Sequence, residues 1–202
     1  MKIICVGRNY IDHAKELNNP IPNSPLIFMK PSTALLLDGK PFYIPYFSND
    51  IHYELELVLK IKKNGKAITH EFASGYYDEI GLGIDFTARD VQDRLKSKGQ
   101  SWELAKAFDY SACVGDFIPK GDLDLTSIHF QMKKGDDIVQ DGNSADMIFS
   151  FDYLIHYISQ FITLQTGDLI FTGTPAGVGK VTAGDQYTGI LEGKTLLSCN
   201  IK

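Results

Sequence analysis

Residues 52–59, His52-Tyr53-Glu54-Leu55-Glu56-Leu57-Val58-Leu59, place acidic and apolar side chains in alternation. Successive side chains of a strand point to opposite faces, so a strand here buries Leu55, Leu57 and Leu59 and gathers Glu54 and Glu56 on the other side. Two carboxylates that close repel one another unless a cation or a shared proton compensates. The segment offers no Lys or Arg before Lys60. A solvated face would relieve the repulsion, whereas an enclosed one demands a cation.

Asp85 favours enclosure. It closes the nearly apolar run Ile80-Gly81-Leu82-Gly83-Ile84, and a carboxylate at the mouth of a buried strand is either a helix cap or part of a site. Three carboxylates with no Cys or neighbouring His ligand suit a hard cation, Mg²⁺ or Mn²⁺, better than zinc. Such a set leaves about three of six octahedral positions for water or substrate. Metal-assisted catalysis requires that opening.

Around this core, periodicity predicts a short buried strand over 2–6 and a helix over 10–17, with Ile11, Ala14 and Leu17 on one side. Asn18-Asn19-Pro20 stops that helix, and Pro20, Pro22 and Pro25 force an extended loop before a strand over 26–30. One long strand is predicted over 52–62, then a turn at Asn64-Gly65. A helix follows over 87–98, capped by Thr87 and ended by Gly99. A hairpin over 127–140 turns at Gly135-Asp136. The amphipathic helix over 150–162 puts Leu154, Ile155, Ile158, Phe161 and Ile162 on one side. Strands over 168–172 and 195–201 flank glycine-rich loops. Strands outnumber helices without a βαβ alternation, so the class is α+β. No linker or repeat divides residues 1–202, which read as a single domain.

Composition excludes several partners. With 20 basic and 25 acidic side chains the net charge is -5, which argues against nucleic acid. The basic run Lys60-Ile61-Lys62-Lys63 is a strand end entering a turn. No apolar run is long enough for a membrane, and Ile3-Ile4-Cys5-Val6 is too short for a signal-peptide core. The three cysteines, Cys5, Cys113 and Cys199, form no C-x-x-C pair and fit a reducing cytoplasm. Gly173-Thr174-Pro175-Ala176-Gly177-Val178-Gly179-Lys180 is no phosphate loop, because Thr174 stands where glycine is needed and Val181 where Ser or Thr is needed.

Taken in order, several segments resemble the fumarylacetoacetate hydrolase family, in particular its short acylpyruvase and oxaloacetate decarboxylase branch. They are Val6-Gly7-Arg8-Asn9-Tyr10, Phe28-Met29-Lys30-Pro31-Ser32-Thr33, His52-Tyr53-Glu54-Leu55-Glu56, Asp85-Phe86-Thr87-Ala88-Arg89-Asp90-Val91-Gln92, Met147-Ile148-Phe149-Ser150, and Gly167-Asp168 with Thr172-Gly173-Thr174-Pro175-Ala176-Gly177-Val178-Gly179. The resemblance implies a mixed β-sheet roll with a few peripheral helices, usually as a homodimer. It also makes Glu54, Glu56 and Asp85 ligands of Mg²⁺, with Mn²⁺ as the alternative.

His13 and Glu16 lie three residues apart on one face of the first predicted helix. A carboxylate beside an imidazole orients it as a general base, and the resemblance makes this pair the catalytic dyad of a lid over residues 12–19. It further implies that Lys106 neutralises a substrate carboxylate or developing enolate. Arg8, Arg89, Gln92 and Thr174 then contact a small 2-oxo acid. His52, near Glu54, would support the site from behind; His70, His129 and His156 are read as structural. The activity implied is Mg²⁺-dependent hydrolysis of acylpyruvates with decarboxylation of oxaloacetate. The alternative is isomerisation or tautomerisation, as of 2-hydroxyhepta-2,4-diene-1,7-dioate or oxaloacetate.

Overall fold

The computed structural model describes residues 1–16, 20–37 and 39–202. Its organising element is a seven-stranded mixed sheet. In chain order the strands are β1 (Ile3–Gly7), β2 (Leu26–Lys30), β3 (Leu35–Leu37), β4 (Ile51–Tyr53), β5 (Leu55–Ile61), β6 (Tyr77–Asp85), β7 (Thr87–Ala88), β8 (Ala112–Pro119), β9 (His129–Lys134), β10 (Asp137–Asn143), β11 (Leu169–Phe171), β12 (Gly179–Lys180), β13 (Gln186–Leu191) and β14 (Lys194–Asn200). The large sheet runs β2-β1-β11-β5-β6-β8-β3, beside a four-stranded sheet β10-β9-β13-β14 and a small one, β12-β4-β7. Among the described residues five α-helices, α1 (Ile11–Glu16), α2 (His70–Ala73), α3 (Arg89–Ser97), α4 (Glu103–Lys106) and α5 (Phe151–Phe161), lie around them. The class is α+β, with mixed sheets and few helices.

The period-two reading of the central strand holds in its consequence. Leu55, Leu57 and Leu59 join the main core with Leu82, Phe130, Tyr187 and Leu197, between the large and the four-stranded sheets. Val58 faces the other way, among Ile3, Cys5 and Phe171. The sheets come close at Gly115 of β8, where a Cβ would lie 2.0 Å from the carbonyl oxygen of Leu196. Only a residue without a side chain allows that approach.

One strand over 52–62 is not what forms. The chain breaks at Glu54, because β4 pairs with β7 and β12 while β5 pairs with β11 and β6. The change of sheet leaves backbone groups to satisfy. Asp85 N–H donates to the Glu54 carbonyl at 2.8 Å, and Leu55 N–H donates to Gln140 Oε1 at 2.8 Å. The bend at Asn64-Gly65 leads into α2 rather than straight into β6.

Thr87 does not cap a helix. It pairs with His52 in the small sheet, and α3 begins at Arg89 after an extended Ala88. Gly99 does end that helix, at φ +63° with its N–H on Lys96 O. The hairpin β9–β10 turns at Gly135 as expected. In α5 the Ser150 hydroxyl accepts from Tyr153 N–H, and Phe151, Leu154, Ile155 and Ile158 are buried, but Phe161 is exposed. β13 was hidden among the glycine-rich loops. The predicted last residue of the first helix, Leu17, and the Asn18-Asn19 part of its predicted stop lie outside the described residues. No described helix is long and apolar enough to cross a membrane.

Because its neighbour is backbone rather than a flexible side chain, Gly115→Ala is expected to destabilise the chain by about 1–3 kcal/mol. Urea unfolding reads this directly; an unchanged midpoint would mean that the two sheets separate there at no cost.

Candidate active site

Strand geometry brings the three acids together. Glu54 sits at the change of sheet, Glu56 one pleat further along β5, and Asp85 at the end of β6. One carboxylate oxygen from each lies within 4.8 Å of the others, and all three residues are buried. Among the described residues this is the only such acidic, His or Cys cluster.

Cations from other elements offset the charge. From α4, Lys106 Nζ bridges Glu54 Oε2 and Asp85 Oδ2 at 2.7 Å each. Arg89, first in α3, sets Nη2 at 2.5 Å from Glu54 Oε1 and donates from Nη1 to Gln92 Oε1 at 2.7 Å. Lys30, at the end of β2, holds Nζ 2.7 Å from Asp85 Oδ1 and donates to Ser111 Oγ and to the Lys106 carbonyl. Its approach to Asp85 Oδ1 is an ion-pair contact without hydrogen-bond direction, so that oxygen keeps lone-pair capacity. Among the described residues, Glu56 has no ammonium or guanidinium partner. Its Oε2 accepts only the Gly173 N–H, at 2.7 Å.

Titration follows this asymmetry. Burial alone would raise Glu54, but Lys106, Arg89 and His13 hold it well below the usual carboxylate range. Glu56 is pushed well above that range by burial, Asp85 and Glu54. Lys106 loses to burial but gains more from Asp85 and Glu54, and is raised. The three cations are thus unevenly placed: all of them pair with Glu54 or Asp85 and none with Glu56. An oxygen-only donor set, a carboxylate without a cation and an unused Asp85 oxygen fit a hard divalent ion.

The wall opposite is set by β1 and α1. Arg8 leaves β1 in a left-handed conformation, φ 60°. Asn9 beside it is fully buried and donates to Phe149 O at 3.0 Å and Thr172 O at 2.8 Å, while accepting Phe149 N–H at 2.8 Å. These bonds tie β1 to the loop that carries Gly173. That glycine has φ +101°, and a Cβ there would lie 2.7 Å from Asn9 Cβ. In α1, His13 is buried with Nδ1 3.2 Å from Glu16 Oε2, and Glu16 Oε1 accepts Gly177 N–H at 3.0 Å. Burial lowers His13, against the opposing pull of Glu54 and Glu16. Only 12–16 of the expected lid segment are described; 17–19 lie outside.

One cavity collects Arg8, His13, Glu54, Glu56, Asp85, Arg89, Gln92, Lys106 and Thr174. These are all ten predicted site residues except Glu16, which reaches the cavity through His13. Lys106, expected to face substrate, lines the cavity and also bridges two of its carboxylates. His52 pairs with Asp50 at 3.2 Å and does not line the cavity.

A profile of the family described as "Fumarylacetoacetate (FAA) hydrolase C-terminal" matches residues 2–200. The chain belongs to this family. It is 40% identical over 99% of its length to the mouse protein named "Oxaloacetate tautomerase FAHD1, mitochondrial", covering 91% of that protein. It is 44% identical over 91% of its length to the Dictyostelium discoideum "Oxaloacetate decarboxylase, mitochondrial", covering 85% of it. The crystal structure of fumarylpyruvate hydrolase from Pseudomonas aeruginosa in complex with Mn²⁺ and pyruvate superimposes with a TM-score of 0.93 at 34% identity, covering 100% of this chain and 89% of that one. The family's enzymes therefore include a metal-bound relative.

Sequence reasoning missed Lys30, Asn9 and Gln140. Lys30 lay inside a quoted motif with no visible partner, since Asp85 is 55 positions away. Gln140, which donates to Thr174 Oγ1 at 2.8 Å and accepts from Leu55 N–H, comes from the other sheet. Lys96 and Trp102 also line the cavity unexpectedly. The i, i+3, i+7 spacing of Arg89, Gln92 and Lys96 was the available signal.

The unmet charge at Glu56 has a thermodynamic signature. Mg²⁺ or Mn²⁺ at 100 times its Kd should stabilise the chain by about 2.7 kcal/mol. Glu56→Gln should abolish that gain yet unfold no earlier than the native chain without metal, since a neutral amide removes a charge that burial and two carboxylates oppose. Thermal unfolding with and without the ion decides it. A metal-induced shift that survives the substitution would remove Glu56 from the ligand set.

Proposed function

We propose that this chain is a divalent-metal-dependent enzyme of small 2-oxo acids, hydrolysing acylpyruvates to pyruvate and a carboxylic acid and decarboxylating oxaloacetate. The observation that carries the reading is the buried Glu54–Glu56–Asp85 cluster sharing one cavity with His13, itself paired to Glu16. Held by the three carboxylates, Mg²⁺ or Mn²⁺ would supply Lewis acidity to the carboxylate and 2-oxo oxygens of the substrate.

The side chains then divide the work. Burial keeps His13 neutral, and Glu16 accepts from Nδ1–H, which leaves the Nε2 lone pair for the cavity. His13 takes a proton from water as its oxygen bonds to the distal acyl carbonyl. The C–C bond breaks, its electron pair passes to the pyruvate methylene carbon, and that carbon takes up a proton. Lys106 and Arg89 hold the cluster's charge and orientation, while Gln92, Thr174 and Arg8 supply donors toward the acid. Oxaloacetate needs no activated water, because loss of CO₂ leaves the same carbon to be protonated.

A second reading is tautomerisation of oxaloacetate, favoured by the name of the mouse relative and by one imidazole poised to move a proton. A homodimer in the cytoplasm is part of the proposal; the animal and slime-mould relatives have mitochondrial names.

Purified protein, stripped with a chelator and reloaded with Mg²⁺, is to be assayed on acetylpyruvate, on enol and keto oxaloacetate, and on 2-hydroxyhepta-2,4-diene-1,7-dioate, with products identified. His13→Ala is expected to lower acylpyruvate hydrolysis by about 10²–10⁴-fold, with CO₂ release from oxaloacetate less affected. Full activity in chelated protein would overturn the metal requirement. Wild-type hydrolysis by His13→Ala would remove the dyad, and tautomerisation alone would select the second reading.

A further inference from the structure

Strand β10 is irregular at one place. Its register against β9 shifts between Ile138 and Gln140, so Val139 is an extra residue and Gln140 stands opposite Met132. Met132 is fully buried, and residues directly opposite in a strand pair share a face. In an unbroken ladder Val139 would hold that inward position; the bulge gives it to an amide. Bulges re-aim side chains and are over-represented next to active sites.

An amide inside a core is costly unless its groups are bonded. Gln140 is buried, and its amide is engaged at both ends. Oε1 accepts Leu55 N–H at 2.8 Å, while Nε2 donates to Thr174 Oγ1 at 2.8 Å and to Pro175 O at 3.1 Å. A backbone N–H can only donate and a carbonyl can only accept, so Leu55 and Pro175 fix which end of the amide is which. Packing alone would be served by an apolar side chain. The amide is there for its partners.

Those partners bracket the site. Leu55 lies between Glu54 and Glu56 in the chain. On the other side, the loop that Gln140 grips supplies Gly173 N–H to Glu56 Oε2 at 2.7 Å and Gly177 N–H to Glu16 Oε1 at 3.0 Å. Thr174, between them, lines the cavity. Gly177, at φ +98°, passes so close to β10 that a Cβ would run into the Val139 carbonyl, so the loop is seated on the bulge itself. One side chain therefore sets the spacing between the carboxylate strand and the loop.

The consequence for Thr174 is directional. A hydroxyl has one proton to give and two lone pairs to offer. Gln140 Nε2 is a donor, so Thr174 Oγ1 accepts from it and must aim its own proton elsewhere. Among the described residues Thr174 Oγ1 has no second hydrogen-bond partner. The direction left for its O–H is the cavity that Thr174 lines. Accepting one hydrogen bond also polarises a hydroxyl and strengthens the one it gives.

We propose that Gln140, delivered by the bulge in β10, is a positioning residue of the site: by donating to Thr174 Oγ1 it commits that hydroxyl to donate to an acceptor oxygen of the bound acid. Gln140 itself does not line the cavity and acts through Thr174. This rests on the 2-oxo-acid reading of the site and adds the residue, from the opposite sheet, that fixes the sense of one of its hydrogen bonds.

A double-substitution cycle separates this role from a structural one. Pyruvate is the probe, titrated calorimetrically into protein kept saturated with Mg²⁺. Thr174→Val should weaken its binding by about 10-fold, the scale of one charge-assisted hydrogen bond, and Thr174→Ser should retain native affinity. Gln140→Met should weaken pyruvate about 3–10-fold in the native background, but by less than about twofold on top of Thr174→Val. A side chain that merely holds the fold together would cost the same in both backgrounds. Equal losses, or native pyruvate affinity in Gln140→Met or in Thr174→Val, would overturn the proposal and leave the metal site standing. If thermal unfolding shows Gln140→Met to be unfolded, Gln140→Glu replaces it in the same cycle. That variant keeps the acceptor for Leu55 and removes only the donors, and its loss should again be larger with Thr174 present. Absence of Mg²⁺-dependent pyruvate binding to the native protein would instead defeat the 2-oxo-acid reading, and this inference with it.

Discussion

Three carboxylates buried within 4.8 Å of one another are what this structure has to solve. Desolvating a charge costs several kcal/mol even after relaxation, and neighbouring like charges add to it. The chain meets that cost with three cations delivered from β2, α3 and α4, none adjacent in sequence to the acids they face. None of them pairs with Glu56, which among the described residues has only a backbone donor. That unevenness leaves the cluster a candidate site for a divalent ion rather than a closed salt-bridge network.

The fold can be understood from that requirement. Glu54 must leave the β5 ladder to stand beside Glu56, and it does so where the chain passes from the small sheet to the large one. Gln140, from the four-stranded sheet, fills the backbone gap this creates and also touches Thr174. Asn9 ties the start of α1 to the Gly173 loop, so His13, Glu16 and the donor to Glu56 belong to one rigid assembly. Lys106 and Arg89 are held in place by the carboxylates they pair with.

Much of this was legible in the chain. The period of two over 52–59 assigned Leu55, Leu57 and Leu59 to the core and Glu54 and Glu56 to the opposite face, although it hid the break between β4 and β5. Both strand and break present alternate residues to the same side, so periodicity does not distinguish them. Thr87 looked like a cap because the motif preceding a helix is the same whether or not its first residue pairs in a sheet. Phe161 satisfied the helical spacing of α5 yet lies outside its contact, since only tertiary packing defines how wide a buried stripe is.

By itself, then, the sequence pointed to the family, to the Glu54–Glu56 pair on one strand face and to the His13–Glu16 pair, because each depends on residue types at short, fixed spacings. Tertiary structure alone decided which cations answer which acids. Lys30 and Lys106 reach Asp85, and Gln140 reaches Leu55, across separations that no local period encodes. Coulomb and hydrogen-bond energies depend on distance in space, and that distance exists only once the sheets have closed.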